Sequence, residues 1–250
     1  MNRLQKISFM KNRVAVNFLA GDLENAIEVV KAMDGHALVG ILSKQFDNPE
    51  EGIKEVNAWL QELPAVSVGM GGGDPAQAVK AALIACETNP GHVNQPFTGA
   101  GFASGALRAK GANETAINVM MAPTGIPGKV KINTGKFGVQ EADALVDVDT
   151  AMAMIKDMEA DSVKFFPMGG LKSIEELKVV AEACVRQGVQ LIEPTGGITP
   201  DNFEEILQVC LDAGVPYVMP HVYGSVRDKE TGMTNIDQVR KIYEVLERIL

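Results

Sequence analysis

DSVKFFPMGG, at residues 161–170, is the stretch of sequence on which the interpretation of the whole chain depends. Read as a strand, it alternates, so that Ser162, Lys164 and Phe166 share one face and the residues between them share the other. A lysine in the middle of an apolar strand, followed by a proline and two glycines, is unusual for a structural position. Burial of an ammonium group is costly unless the group has a partner or a chemical role.

Two interpretations of Lys164 follow from this stretch alone. In an apolar pocket, a lysine loses its proton more easily and becomes an amine nucleophile that can form a Schiff base with a carbonyl compound. On an edge strand, by contrast, the ammonium group could reach solvent along its own aliphatic stem. This stretch alone does not distinguish the two interpretations, so the rest of the chain must be considered.

Composition limits the class of protein. The chain has 250 residues, of which 46% are hydrophobic and 22% charged, a size typical of a single α/β barrel. A formal net charge of -9 argues against a nucleic-acid-binding protein, which normally carries a basic surface. The first 13 residues do not resemble a signal peptide, and no apolar run approaches the roughly 20 residues of a membrane span, so we expect a cytoplasmic protein that binds no membrane.

The cysteines and histidines predict no metal site. The three cysteines are scattered and include no CxxC pair, which indicates a reducing compartment. The three histidines lie on separate predicted units of the chain, so no ligand spacing supports a metal, and we expect no cofactor.

Strand and helix patterns alternate along the chain eight times. Strands are predicted at residues 14–20, 37–46, 65–69, 92–96, 116–123, 162–168, 190–193 and 217–222, with a helix pattern after each one. This alternation favours a parallel sheet closed by right-handed crossovers, a (β/α)8 TIM barrel, as a single domain over residues 1–250. In that fold the chemistry lies at the carboxyl ends of the strands.

Local signals mark several helix starts and one insertion. Asp22 is expected to cap the first helix, Pro49 to occupy the first position of the second, and Ser173 to cap a later helix with Glu176 in a capping box. Residues 124–139 interrupt the alternation with a glycine- and lysine-rich segment, and an insertion of this size is usually functional or mobile.

A glycine pair and a glycine–serine pair follow the last two predicted strands. Gly196 and Gly197 come after Glu193 and Thr195, which share a face, and Gly224 and Ser225 come after the final strand. Glycine lets backbone N–H groups approach an anion closely, and the loops after strands seven and eight of this fold commonly bind phosphate.

VKFFP at 163–167 and PTGGI at 194–198 resemble the two signature segments of the class I 2-keto-3-deoxy-6-phosphogluconate aldolases, which also act on 4-hydroxy-2-oxoglutarate. VGMG at 68–71 and the glycine–serine pair at 224–225 are similar to the family's third and eighth strand ends. The chain looks closest to the divergent branch linked with glucosaminate and related sugar-acid catabolism. The resemblance implies that the substrate is a small 2-keto-3-deoxy sugar acid that carries a phosphate group. Separately from the resemblance, the sequence is compatible with a homo-oligomer.

The resemblance also implies roles for individual residues. It makes Lys164 the Schiff-base lysine, Phe166 the aromatic residue that packs on the pyruvyl group, and Thr195 a substrate contact. Pro96 matches the proline that ends the fourth strand. The phosphate is expected at Gly196, Gly197, Gly224 and Ser225.

The chain departs from the family pattern on the second strand. Gly40 aligns with the glutamate base of the family and Lys44 with the carboxylate-binding arginine, so Lys44 is expected to bind a carboxylate as a point charge. Glu193 becomes the candidate for the proton-transfer base, although an acid in a structural ion pair explains it equally well. His221 and His92 are lesser candidates.

Several functions therefore remain open at the level of sequence. The first is cleavage of 2-keto-3-deoxy-6-phosphogluconate through a Schiff base, and 4-hydroxy-2-oxoglutarate is an alternative substrate. A non-aldolase phosphosugar isomerase or epimerase is a second possibility, and a non-catalytic protein that binds a phosphorylated metabolite is a third.

Overall fold

The structure is a computed structural model, and it describes residues 3–250. The strands are β1 (Val16–Leu19), β2 (Ala37–Leu42), β3 (Val66–Gly69), β4 (Gly91–Pro96), β5 (Ala116–Met121), β6 (Lys129–Lys131), β7 (Leu145–Asp147), β8 (Ser162–Phe165), β9 (Leu191–Pro194) and β10 (Tyr217–Val218). The α-helices are α1 (Leu23–Ala32), α2 (Pro49–Trp59), α3 (Ala78–Thr88), α4 (Ala100–Lys110), α5 (Val148–Asp157), α6 (Ile174–Gln187), α7 (Phe203–Asp212) and α8 (Ile236–Ile249).

Eight of the strands form one parallel sheet in the order β1-β2-β3-β4-β5-β8-β9-β10. An α-helix follows each of these strands along the chain, so the predicted alternation and the α/β class are confirmed. The sheet is curled, and backbone hydrogen bonds connect its first strand with the segment around its last. Asn17 N donates to Pro220 O at 2.9 Å, and Val222 N donates to Asn17 O at 2.8 Å.

The inner face of the sheet changes character along the strands. At the amino-terminal end lies an apolar cluster that is separate from the main core, and its members include Ala15, Leu38, Ala65, Ala116, Leu191 and Met219. The N-terminal segment covers this cluster with Leu4 and Ile7. Residues two positions further along share the same face, and several of them are polar, as in Asn17, Ser67 and Glu193.

Two of the three predicted helix starts are confirmed and one is wrong. Asp22 accepts the N–H of Asn25 at the start of α1, and Pro49 occupies the first turn of α2. Ser173 makes no capping hydrogen bond with its side chain. Glu176 is turned away from it, and its Oε2 accepts the N–H groups of Thr124 at 2.7 Å and Gly125 at 3.0 Å.

The insertion is longer than the predicted 124–139. Its strand β6 pairs antiparallel with β7, so the hairpin extends to residue 147. Lys129 pairs with Asp147 at 2.8 Å and Lys131 with Asp143 at 2.9 Å, both within the insertion. Two of its three lysines are therefore paired with neighbouring acids, and the third, Lys136, lies over the ring of Phe137.

Glu176 anchors the insertion, and replacing it tests this role. We expect Glu176→Ala to lower the free energy of unfolding by about 1–3 kcal/mol, because two partly buried backbone N–H groups lose a charged acceptor. Urea denaturation and hydrogen exchange at the amides of Thr124 and Gly125 provide the measurement. The matched control is Glu175→Ala, which removes an exposed neighbour on the same helix. Equal effects of the two substitutions would contradict the anchoring role.

Candidate active site

A cavity opens at the carboxyl end of the parallel sheet, where the strand alternation predicted the chemistry. Its lining comes from most of the strands and consists of Leu42, residues 69–73, Asn94, Lys164, Phe166, Thr195 and Tyr223. The predicted residues Lys164, Phe166 and Thr195 are therefore brought together in one place.

Lys164 lies on the inner face of a central strand, so its interpretation as an edge-strand lysine is wrong. The residue is 8% exposed, and its Nζ donates to Asn94 Oδ1 at 3.0 Å. His221 Nδ1 lies 3.3 Å from the same nitrogen. Burial lowers the pKa of Lys164 to about 8, although the negative charge of Glu193 acts in the opposite direction. A substantial fraction of the amine is therefore neutral near pH 8.

Glu193 lies one layer deeper than Lys164 and is fully buried. One carboxylate oxygen contacts His92 Nε2 at 3.0 Å and accepts from Ser162 Oγ at 2.7 Å. The other contacts His221 Nε2 at 2.6 Å and accepts from Asn118 Nδ2 at 2.7 Å. Burial raises the pKa of Glu193, but the two histidines outweigh it and bring the pKa to about 2. The carboxylate is therefore anionic, and both its oxygens are engaged.

His221 connects this carboxylate with the cavity. Its Nε2 faces Glu193, so the tautomer that donates there leaves Nδ1 as an acceptor for Lys164 and for the Tyr223 hydroxyl, which lies 2.9 Å away. Burial and the neighbouring charge of Lys164 lower the pKa of His221 to about 3, so the ring is neutral. Burial also raises the pKa of Tyr223, which keeps its hydroxyl proton.

Sequence reasoning missed much of this polar layer. The additional members are Asn17, Ser67, Asn94, Asn118, Ser162 and Tyr223, which hydrogen-bond to one another or to the histidines. A usable signal exists, because Asn94 lies two residues after His92 and Ser162 two before Lys164. Residues two positions apart along a strand point to the same face of the sheet, so both pairs indicate a polar inner face.

The predicted substrate contacts Thr195, Lys44 and Pro96 differ in their distance from the cavity. Thr195 is buried in the lining, and its hydroxyl donates to the carbonyl of Glu193 at 3.1 Å. The Lys44 side chain is 63% exposed, lies 3.7 Å from Asp74 Oδ2 and packs near Gly71 at the rim. Pro96 is buried at the last position of β4 and is not part of the described lining.

The predicted phosphate loops contact each other and the loop after β8. Gly196 O accepts the N–H of Gly170 at 2.8 Å. Gly197 has a φ of +73°, and a Cβ there would collide with the backbone of Gly170. The Ser225 hydroxyl donates to Ile198 O at 2.7 Å, whereas Gly224 is exposed. Gly196 and Gly197 thus have a packing role that is independent of any ligand.

Residues 3–250 contain no group of three histidine, cysteine, aspartate or glutamate side chains arranged to hold a metal ion. Within the same range, no helix is both long enough and apolar enough to cross a bilayer.

The site and fold define a barrel-like α/β protein with a buried amine at the carboxyl end of its sheet. Comparison with known proteins identifies its family. The chain belongs to the KDGP aldolase family, whose model matches residues 10–230. It is 51% identical over 247 residues to a 2-dehydro-3-deoxy-phosphogluconate aldolase of Salmonella typhimurium, covering 99% of this chain and 100% of that relative.

Solved structures resemble the fold at much lower sequence identity. KGPDC from Streptococcus mutans is 13% identical with a TM-score of 0.57, and the match covers 95% of this chain and 99% of that one. A thiamine phosphate pyrophosphorylase from Pyrococcus furiosus is also 13% identical, with a TM-score of 0.56 and coverage of 96% and 98%. These similarities support the fold alone.

The Lys164 amine is expected to titrate near pH 8, well below an exposed lysine at about 10.4. The charged form predominates below that pH and the nucleophilic form above it. NMR of protein labelled with ¹³C at lysine Cε measures the titration, and Lys164→Met assigns the signal by removing it. A midpoint above pH 10 would contradict the burial effect.

Gly197 tests the contact between the loops. Gly197→Ala and Gly188→Ala both place a side chain at a φ of +73°, but Gly188 has nothing within 4 Å of the new Cβ. We expect Gly188→Ala to cost about 1–2 kcal/mol for the left-handed conformation alone. Gly197→Ala should cost about 1–3 kcal/mol more, because it also forces the loops apart. Equal urea midpoints would show that the contact adds nothing.

Proposed function

We propose that the chain is a class I aldolase that cleaves 2-keto-3-deoxy-6-phosphogluconate to pyruvate and glyceraldehyde 3-phosphate. One observation carries this proposal. Lys164 is a buried amine that lines a cavity, and its pKa of about 8 reflects burial without a carboxylate in contact with it. Such an amine is suited to Schiff-base chemistry, because the neutral form is accessible near physiological pH.

Family membership supports the same reaction. The relative that is 51% identical over nearly the whole of both chains is described as a 2-dehydro-3-deoxy-phosphogluconate aldolase. That description applies to the relative, and the lysine at the cavity of this chain provides the chemistry that such a reaction requires.

The reaction begins when neutral Lys164 attacks the C2 carbonyl of the substrate. The carbinolamine loses water and leaves a protonated imine, which serves as the electron sink. Removal of the proton from the C4 hydroxyl breaks the C3–C4 bond, releases glyceraldehyde 3-phosphate and leaves the enamine of pyruvate. Protonation at C3 and hydrolysis then release pyruvate. Phe166 packs on the pyruvyl group and Thr195 contacts the substrate, since both line the cavity beside the amine.

The charged ends of the substrate are assigned to the rim. Gly196, Gly197, Gly224 and Ser225 hold the phosphate, which is supported by the contact between their two loops. Lys44 binds the carboxylate, because its stem packs against Gly71 of the lining and its ammonium group lies at the rim, 3.7 Å from Asp74 Oδ2. Pro96 acts less directly, by fixing the end of β4.

Several broader features of the protein belong to the same proposal. The hydrogen bonds between β1 and the segment at 218–222 support closure of the sheet into a single-domain (β/α)8 barrel. We place the enzyme in the cytoplasm and in the branch associated with glucosaminate and related sugar-acid catabolism. A homo-oligomer stays a prediction.

Trapping the intermediate tests the proposal. Incubation with pyruvate and borohydride should add a reduced pyruvyl group to Lys164, located by mass spectrometry of the digested protein. Lys164→Met should abolish both labelling and cleavage while leaving the unfolding midpoint near that of the wild type. The control is Lys178→Met, which removes an exposed lysine on α6 and should change neither.

The outcomes separate the alternatives. Labelling without cleavage of 2-keto-3-deoxy-6-phosphogluconate, together with cleavage of 4-hydroxy-2-oxoglutarate, would identify the second substrate. Turnover of a phosphosugar without labelling would favour an isomerase or epimerase, and binding without either would favour a non-catalytic protein. A label at a lysine other than residue 164 would reject the scheme.

A further inference from the structure

Aldol cleavage requires a group that moves protons next to the substrate, and the cavity offers few. Of its described lining, only Lys164 and Tyr223 have ionisable side chains. Lys164 is consumed by the imine. The Thr195 hydroxyl is an aliphatic alcohol engaged with a backbone carbonyl, and Asn94 presents an amide. Glu193 has no exposed surface and uses both oxygens elsewhere.

We propose that Tyr223 is the proton-transfer residue of this cavity and that it exchanges its proton with His221, which Glu193 holds in position. This inference rests on the proposed aldolase function and adds the group that accepts and returns the proton. It changes the role expected for Glu193 from base to positioning residue.

The geometry forms a continuous chain of hydrogen bonds. The Tyr223 hydroxyl lies 2.9 Å from His221 Nδ1 and 3.0 Å from Asn17 Oδ1, and it has one proton to share between these two acceptors. His221 Nε2 lies 2.6 Å from Glu193 Oε2. Both distances along the relay are within the range that proton transfer requires. When Tyr223 donates to His221, its oxygen has lone pairs free to accept a proton from the cavity side.

Strand β2, on the far side of Asn17 from Tyr223 along the sheet order, offers no equivalent group at Gly40. At Gly40, on β2, an added Cβ would lie 2.9 Å from Leu19 Cδ2 and 3.8 Å from Asn17 Oδ1. Leu19 therefore fills the space into which a side chain at residue 40 would extend. Asn17, which borders the same space, turns its oxygen to the Tyr223 hydroxyl. The polar oxygen nearest to this space therefore contacts Tyr223.

The cleavage step balances with these groups alone. The C4 hydroxyl gives its proton to the Tyr223 oxygen while the Tyr223 proton passes to His221 Nδ1. The C4–O electron pair becomes the carbonyl of the leaving aldehyde, the C3–C4 bond breaks, and its electrons move to the iminium nitrogen and give the neutral enamine. In the return step Tyr223 protonates C3, His221 gives its proton back, and the iminium is restored for hydrolysis.

Charge is conserved within the site during this step. The positive charge on the nitrogen of Lys164 disappears as the enamine forms, and the positive charge on His221 appears at the same time. The neighbouring lysine charge that disfavours a protonated His221 is therefore removed when the ring accepts the proton. The anionic Glu193 remains at 2.6 Å and stabilises the imidazolium.

Deuterium exchange separates proton transfer from imine formation. In ²H₂O, the enzyme should exchange the methyl protons of pyruvate, which proton NMR follows. We expect Tyr223→Phe and His221→Gln to slow this exchange and the cleavage of substrate by about 100-fold or more. Both variants should still give the borohydride-trapped adduct at Lys164. Tyr217→Phe is the control, because that ring packs on Phe9 at the far end of the sheet and should leave every rate unchanged.

Each combined result of the exchange and trapping experiments leads to one conclusion. Trapping at Lys164 with lost exchange in both variants supports the relay. Exchange at the wild-type rate in Tyr223→Phe overturns the relay and leaves the aldolase proposal intact. Loss of trapping together with exchange in Tyr223→Phe also overturns it, because the residue would then serve imine formation or folding. Absence of a label at Lys164 in the wild type overturns both proposals.

Discussion

The buried carboxylate of Glu193 is the constraint on which the interior of the sheet depends. An ion removed from water is tolerated only when its hydrogen bonds are replaced, and loss of one partner of a buried charge typically costs about 3–5 kcal/mol. Four side chains replace them here, from β4, β5, β8 and the segment after β10. A slip of one residue in any of these strands would turn its donor to the other face of the sheet. The carboxylate therefore favours one register across most of the sheet.

The same arrangement explains why Lys164 is not a simple ion-pair partner. Lys164 and Glu193 are register partners on β8 and β9, so a direct contact would be the ordinary expectation. A direct contact would stabilise the ammonium form and raise the pKa of the amine. The carboxylate is instead turned to the two histidines, and the amine contacts neutral acceptors on Asn94 and His221. Burial then determines the protonation of Lys164, and the amine becomes available for chemistry.

The sequence predicts the faces of the strands better than it predicts the contacts within the site. The alternation of β8 placed Lys164 on the inner face, and the glycine-containing pairs after the last two strands marked loops that do meet. Strand parity is a local property, so a single sequence contains it.

The network around Glu193 could not be predicted in the same way. Residues that contact Glu193 directly lie up to 101 positions from it in the sequence, as His92 does. Which donor faces which oxygen depends on the curl of the sheet, and this curl is not a local property. The failed capping box at Ser173 has a similar cause, because Glu176 has a competing partner in the insertion some 50 residues away.

The segment that holds His221 and Tyr223 is the least regular part of the sheet, since β10 has only two residues and Pro220 follows closely. It is nevertheless bonded on both sides. His221 N donates to Pro194 O at 3.0 Å on β9, while Asn17 of β1 bonds to Pro220 and Val222. Both neighbours therefore fix the backbone that orients the His221 ring. A relay at this junction is positioned by the meeting of the first and last strands, so its precision follows from the curl of the sheet and not from the loops at the rim.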